Sequence, residues 1–86
     1  MRTVRWNVVV DIEEVNGESC ATARLHDRSP DHLFGIGRSW IGPQDRDLPE
    51  IGDEMAAARA LNDLSNRLIG RAYAEAERAP QQQPTT

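Results

Sequence analysis

The sequence predicts an α+β domain in the order β-β-β-α, a three-stranded antiparallel sheet packed by one long C-terminal helix. Three features carry that expectation. The N-terminal stretch alternates apolar and polar residues with period two, Asn16-Gly17 falls where a hairpin must turn, and apolar residues recur at helical spacing beyond Pro49.

The first strand is expected from Val4 to Glu14. Val4, Trp6, Val8, Val10 and Ile12 share one face, and Arg5, Asn7, Asp11 and Glu13 the other, with Val9 the single break. Alternation rich in β-branched residues reads as a strand with one buried face. Asn16-Gly17 suits a two-residue turn because both central residues there must accept positive φ. The second strand then runs from about Ser19 to His26, with Ala21, Ala23 and Leu25 on one side and Cys20, Thr22 and Arg24 on the other.

Asp27 to Asp31 is a polar turn punctuated by Pro30. A third strand follows, from about Leu33 to Ile41, and its two faces differ sharply. Gly35, Gly37 and Ser39 make a small face, while Phe34, Ile36 and Trp40 emerge on the other with Arg38 among them. Glycines within a strand mark close approach of another backbone. Two readings stay open: either the small face receives the helix and Phe34, Ile36 and Trp40 form a subunit interface, or those three are the core beneath the helix.

Gly42-Pro43 and an acidic loop lead to Pro49, which suits the first helical position because its missing N–H costs nothing there. From Ile51 the stripe Met55, Ala58, Leu61, Ser65, Leu68 and Ala72, flanked by Ala57, Leu64 and Ile69, is expected to face the core. Arg59, Asn62, Asp63, Asn66, Arg67, Gly70 and Arg71 are expected on the opposite face, Asp63 and Arg67 forming an i,i+4 ion pair worth about 0.2–0.5 kcal/mol. Gly70 is expected to end the packed part, with Arg71 to Ala79 a more weakly held extension. Residues 1–79 make a single domain, and the glutamine- and proline-rich 80–86 a disordered tail.

Composition narrows the function classes. The 86 residues carry a formal charge of −4, which argues against an all-over polyanion binder. A chain this short buries only about 60% of its unfolded surface, and its apolar share is 38%, so a core completed by a second subunit is expected. The single cysteine, Cys20, excludes an internal disulfide. No apolar run has the length of a signal peptide or of a membrane helix, about 20 residues. A cytoplasmic protein without membrane contact is expected.

No catalytic, cofactor or metal site assembles from the sequence. Asp45, Asp47, Glu50, Asp53 and Glu54 lack the ligand register of an EF-hand and are better explained by favourable interaction with the helix N-terminus. His26 and His32 flank one turn, but two histidines and a distant cysteine fall short of the four ligands of a closed zinc site. Gly35-x-Gly37 lies inside a strand, so it is no dinucleotide loop. An enzyme is not expected, nor a cofactor or small-molecule substrate. One constellation remains, the candidate polyanion contacts Arg5, Arg24, Arg59, Arg67 and Arg71, since clustered arginines suit a phosphate backbone. Asp63, Asp11 and Glu13 are interleaved with them.

The run Asp47-Leu48-Pro49-Glu50-Ile51-Gly52-Asp53-Glu54, with Ala58-Arg59-Ala60-Leu61-Asn62-Asp63-Leu64, Ala23-Arg24-Leu25 and Gly35-Ile36-Gly37, resembles a family of small actinobacterial proteins of unknown function. The resemblance spans roughly Trp6 to Ile69. It implies a β-β-β-α fold like a double-stranded-RNA-binding domain (dsRBD-like), similar in shape to ribosome hibernation-promoting factors. It further implies a homodimer, a stress or dormancy setting, and the ribosome or its RNA as partner. No catalytic residues carry over. Double-stranded-RNA-binding domains meet phosphates with a basic cluster at a helix start, and here that start is Glu50, Asp53 and Glu54. The expectation is a non-enzymatic, dimeric, ribosome-binding protein; the alternative is a protein–protein interaction or structural module without nucleic-acid affinity.

Overall fold

The computed structural model describes residues 1–40 and 48–79. Strands β1 (Asn7–Val15), β2 (Glu18–His26) and β3 (Phe34–Trp40) form an antiparallel sheet in the order β1-β2-β3, followed by helix α1 (Pro49–Arg78). The β-β-β-α order is the expected one. Asp45 and Asp47, the Gly42-Pro43 turn and the tail 80–86 lie outside the described residues.

Asn16 at φ 53° and Gly17 at φ 81° make the tight turn that joins β1 to β2, both in the left-handed region such hairpins demand. Val4 and Trp6 keep the alternation of a strand, yet β1 starts only at Asn7. The reason is the register: Asn7 faces His26, the last residue of β2, so earlier residues have no partner strand to bond.

The contact that fixes the architecture lies between α1 and the small face of the sheet. Ser19, Ala21, Ala23 and Leu25 of β2 and Gly35, Gly37 and Ser39 of β3 are all buried there, against Gly52, Ala56, Ala60 and Leu64 of α1. A Cβ placed on Gly35 would overlap the backbone nitrogen of Leu64 and the carbonyl of Ala60. One on Gly37 would overlap Ala56 and Ala60 backbone and come within 2.7 Å of the Arg59 Cβ. Helix and strand therefore meet backbone to backbone. Of the two readings left open for β3, the first holds for the helix: it seats on the glycine face, and Phe34, Ile36 and Trp40 point away from it.

This seating corrects the expected helix face. Three of the residues seated on the sheet are small, Gly52, Ala56 and Ala60, and the fourth at that i,i+4 spacing is Leu64, a flank residue of the expected stripe. The stripe expected to face the core, Ala58, Leu61, Ser65, Leu68 and Ala72, lies about 140° further round the helix. Leu61, Ile51, Met55 and Ile69 are exposed, and Leu68 alone of that stripe packs on the core from the side. Hydrophobic pattern picks out the bulkiest stripe, whereas a glycine strand accepts only the smallest. On the face expected to be solvated, Arg59, Asn62, Asn66, Arg67 and Gly70 are exposed, while Asp63 and Arg71 are half-buried at the sheet rim.

Side chains of α1 also close the outer edge of β3. Asp63 accepts a hydrogen bond from the Ile36 N–H at 2.9 Å, and the Arg59 guanidinium donates to the Arg38 carbonyl at 2.7 Å. Asp63 keeps the expected ion pair with Arg67, at 3.1 Å. The Ile36 N–H first, and Arg67 second, hold the Asp63 carboxyl below its ordinary value of 3.8. At the other end, Ser19 Oγ donates to Asp53 at 3.2 Å, tying the first turns of α1 to β2.

The helix continues past Gly70, as expected. It ends at Arg78, and Arg71 donates to the buried Asp27 carboxylate at the start of the β2–β3 turn. The extension is thus anchored at its first residue. That bond from Arg71 is also the main reason the Asp27 carboxyl sits below 3.8.

Substituting Gly37→Val should cost about 3 kcal/mol or more, because the obstructing atoms are backbone and the helix must lift; urea unfolding measures it. Both carboxyls are more acidic folded than unfolded, so their stabilisation is complete above the ordinary value of 3.8 and fades as pH falls through the lowered ones. Melting temperature should hold near neutrality and drop below about pH 4. Asp63→Asn should flatten that acid limb.

Candidate binding face

Among the described residues, no other element covers the face of the sheet turned away from α1. Antiparallel register sorts its side chains into rows across the three strands: Val9–Arg24–Phe34, Asp11–Thr22–Ile36, Glu13–Cys20–Arg38 and Val15–Glu18–Trp40. Directly opposed residues share a face and touch, so the rows are also a map of neighbours.

Charge is divided across this map. The β1 side carries Asp11 and Glu13, with Glu18 at the turn end of β2. The β3 side carries Arg24 and Arg38 on the face, with Arg67 and Arg59 reaching its rim from α1. Between the cations lie Phe34, Ile36 and Trp40, which are 40%, 41% and 71% exposed. These three large apolar side chains on one edge strand were the sequence's interface candidates, and a single described chain leaves all of them open.

Phe34 is the centre of the strip. The Arg24 guanidinium carbon stands 5.8 Å from its ring centroid and that of Arg67 6.0 Å, both within the range of cation–π attraction. Arg67 is held there by its bond to Asp63. The aromatic ring is thereby flanked by two oriented cations, one from the sheet and one from the helix.

The five arginines singled out from sequence do not make one patch. Arg24, Arg59 and Arg67 gather along β3. Arg71 is turned to Asp27 at the far end of the helix packing and is engaged there. Arg5 lies ahead of β1, in an open cleft of about 300 Å³ shared with Trp6, His26, Asp27 and Arg28. The strip gains Arg38, which sequence reasoning saw in the strand but did not nominate. The signal was present, since its spacing of two from Ile36 and Trp40 puts it on their face.

His26 and His32 do meet, their rings 4.7 Å apart and edge to face. No group of three or more His, Cys, Asp or Glu side chains is arranged to hold a metal among the described residues. Cys20 is half-buried on the open face, between Glu13 and Arg38. Among the described residues no helix is long and apolar enough to cross a membrane.

Known proteins share both sequence and fold with this chain. The Rv2632c-like family model matches residues 4–85. The chain is 45% identical over 64 residues to the uncharacterized protein Mb1767 of Mycobacterium bovis, covering 74% of this chain and 67% of that one. It is 39% identical over 75 residues to the uncharacterized protein Rv2632c of Mycobacterium tuberculosis, covering 87% and 78%. The crystal structure of Rv2632c superposes with a TM-score of 0.83 at 32% identity, over 96% of this chain and 98% of the other. Fold, sequence and length of match agree, and the chain belongs to the Rv2632c-like family.

Proposed function

We propose that this chain is a non-enzymatic binding protein that engages RNA along β3, with the ribosome as its partner in a stress or dormancy setting. The observation that carries the reading is the exposed Phe34 ring between Arg24 and Arg67, continued by Ile36, Arg38 and Trp40. Unpaired bases stack on exposed aromatics at about 1–3 kcal/mol each, and flanking arginines meet the phosphates. The ribosome is chosen over other RNA by fold-level analogy alone.

The location of the cations supports this reading over a groove-spanning duplex mode. They line one edge strand, while the helix start carries Glu50, Asp53 and Glu54, which repel phosphate. An extended single strand or loop laid along β3 meets the arginines and avoids Asp11 and Glu13 on the β1 side.

A second reading is a protein-binding module without nucleic-acid affinity. The acidic half of the same face and the net charge of −4 favour it. Salt separates the two, because phosphate contacts weaken steeply with ionic strength whereas an apolar contact changes little.

The protein should shift the fluorescence anisotropy of a labelled single-stranded RNA oligonucleotide in low salt and co-sediment with ribosomes there. Phe34→Ala should weaken binding about tenfold, in line with the loss of one stacked base. Arg24→Ala should lower the salt slope by about one contact. Absence of binding in low salt, or binding indifferent to Phe34→Ala and Arg24→Ala, overturns the RNA reading.

A further inference from the structure

Past the end of β2 the chain builds a cleft that neither the helix packing nor the β3 strip uses. Asn7 stands opposite His26, the last residue of β2. Arg5 and Trp6 therefore run on beyond the paired strands and come beside the turn that opens at Asp27. With His26, Asp27 and Arg28 they line a space of about 300 Å³, at the lower end of the range for small-molecule sites. The sequence pointed to no small-molecule ligand, because Arg5 and Arg28 are far apart in the chain. Strand pairing is what joins them.

The charge of this cleft is positive. Arg5 and Arg28 are exposed and enter no ion pair among the described residues. Asp27 is the one carboxylate of the lining, and it is already engaged. Its side chain is 6% exposed, accepts from the Arg71 guanidinium and accepts the Ser29 N–H at 3.1 Å. Arg71 thus answers the charge of Asp27 from outside the lining and leaves those of Arg5 and Arg28 unanswered. His26 adds a ring N–H, and its imidazole meets that of His32 edge to face, 4.7 Å between centroids. Trp6, 49% exposed, supplies a flat apolar wall. It also borders a second cleft of about 370 Å³, where Leu68 and Ala72 extend the apolar surface and Asp27, Arg71 and Glu75 pair among themselves.

We propose that the cleft beside Trp6 binds a nucleoside phosphate, its phosphate held by Arg5, Arg28 and His26 and its base stacked on the indole. Guanidinium groups meet phosphate oxygens with paired N–H donors, and bases stack on exposed aromatic rings. A phosphate suits this set of donors better than a carboxylate does. Its oxygens point in three directions and can meet two guanidiniums and an imidazole at once. The two oxygens of a carboxylate lie in one plane and match a single guanidinium fork.

The demand for a ring comes from Trp6. A bare phosphate would leave the indole without a contact, and an uncharged ring would leave both guanidiniums unneutralised. A ligand that carries both parts on one small frame satisfies the whole lining. None of these residues belongs to the Phe34 strip, so the cleft goes beyond the RNA reading and does not depend on it.

Isothermal titration calorimetry with AMP, inorganic phosphate and adenosine tests each part of the ligand. AMP should bind about tenfold or more tighter than either fragment, the worth of one stacked base or one charged contact. Arg5→Gln and Arg28→Gln should each weaken AMP about tenfold, and Trp6→Ala should bring it level with inorganic phosphate. Both arginines are exposed, so their substitution leaves the fold intact. In a Trp40→Phe background Trp6 is the only tryptophan, and AMP but not inorganic phosphate should quench its emission. Neither heat nor quenching at millimolar AMP overturns the inference. So does inorganic phosphate that binds as tightly as AMP, or an AMP affinity that Arg5→Gln and Arg28→Gln leave unchanged. AMP binding that Phe34→Ala abolishes overturns it too, because the nucleotide then sits on β3.

Discussion

Everything in this fold follows from the absence of side chains at Gly35 and Gly37. With no Cβ in the way, the α1 backbone descends onto β3 until it meets the strand itself. That distance admits only small residues on the facing helix stripe, and Gly52, Ala56 and Ala60 supply them at i,i+4 spacing. It also brings Asp63 and Arg59 close enough to bond the Ile36 N–H and Arg38 carbonyl. An unpaired strand edge otherwise invites another chain to add to it. Here the helix closes that edge with its own side chains, and the cost is core volume. A helix seated this low on alanines buries little, so the large residues of both elements are turned elsewhere.

Much of the architecture was legible in the sequence, and the misplaced helix face has a single cause. Asn16-Gly17 announced its turn because few dipeptides accept two positive φ angles. The alternation of β2 and β3 placed Ala21 with Ala23 and Phe34 with Trp40 because the strand period admits no ambiguity. The helix was misphased because hydrophobic periodicity weighs residues by size. Leu61, Leu68 and Met55 outvoted Gly52, Ala56 and Ala60, although Gly35-x-Gly37-x-Ser39 already demanded a small partner. The strand and the helix had to be read together, as two halves of one contact. The arginines failed differently. Composition announced them, but only the fold separates Arg71, turned to Asp27, from Arg24 and Arg67, which flank Phe34.

The charged residues near β3 serve the fold and the open face at once. Asp63 caps the strand edge, and by holding Arg67 it also aims that guanidinium at the Phe34 ring. A carboxylate that accepts both a backbone N–H and a guanidinium has little freedom to move, so the cation beside Phe34 is oriented before any partner arrives. Preorganisation of this kind lowers the entropy lost on binding. It also means that Asp63 cannot be judged as a surface residue of the helix, since its removal reaches the strand, the salt bridge and the aromatic site together.

Among the described residues two parts of the sheet stay uncovered, and their chemistry differs. The face away from α1 mixes exposed aromatics with arginines on one side and carboxylates on the other. Its charges stay hydrated in the free protein, and a partner must repay that hydration with matching charge, which favours a selective and salt-sensitive contact. On the helix side of β1, by contrast, Val8, Val10 and Ile12 make an apolar row, and charge enters only at its ends, with Glu14 opposite the buried Ser19 and with Asp27, Arg71 and Glu75 in the cleft beside Trp6. Water along that row has nothing to bond, and its release favours a contact that persists at high salt. The β3 strip and the helix side of β1 lie on opposite sides of one sheet, so a contact on either would leave the other free.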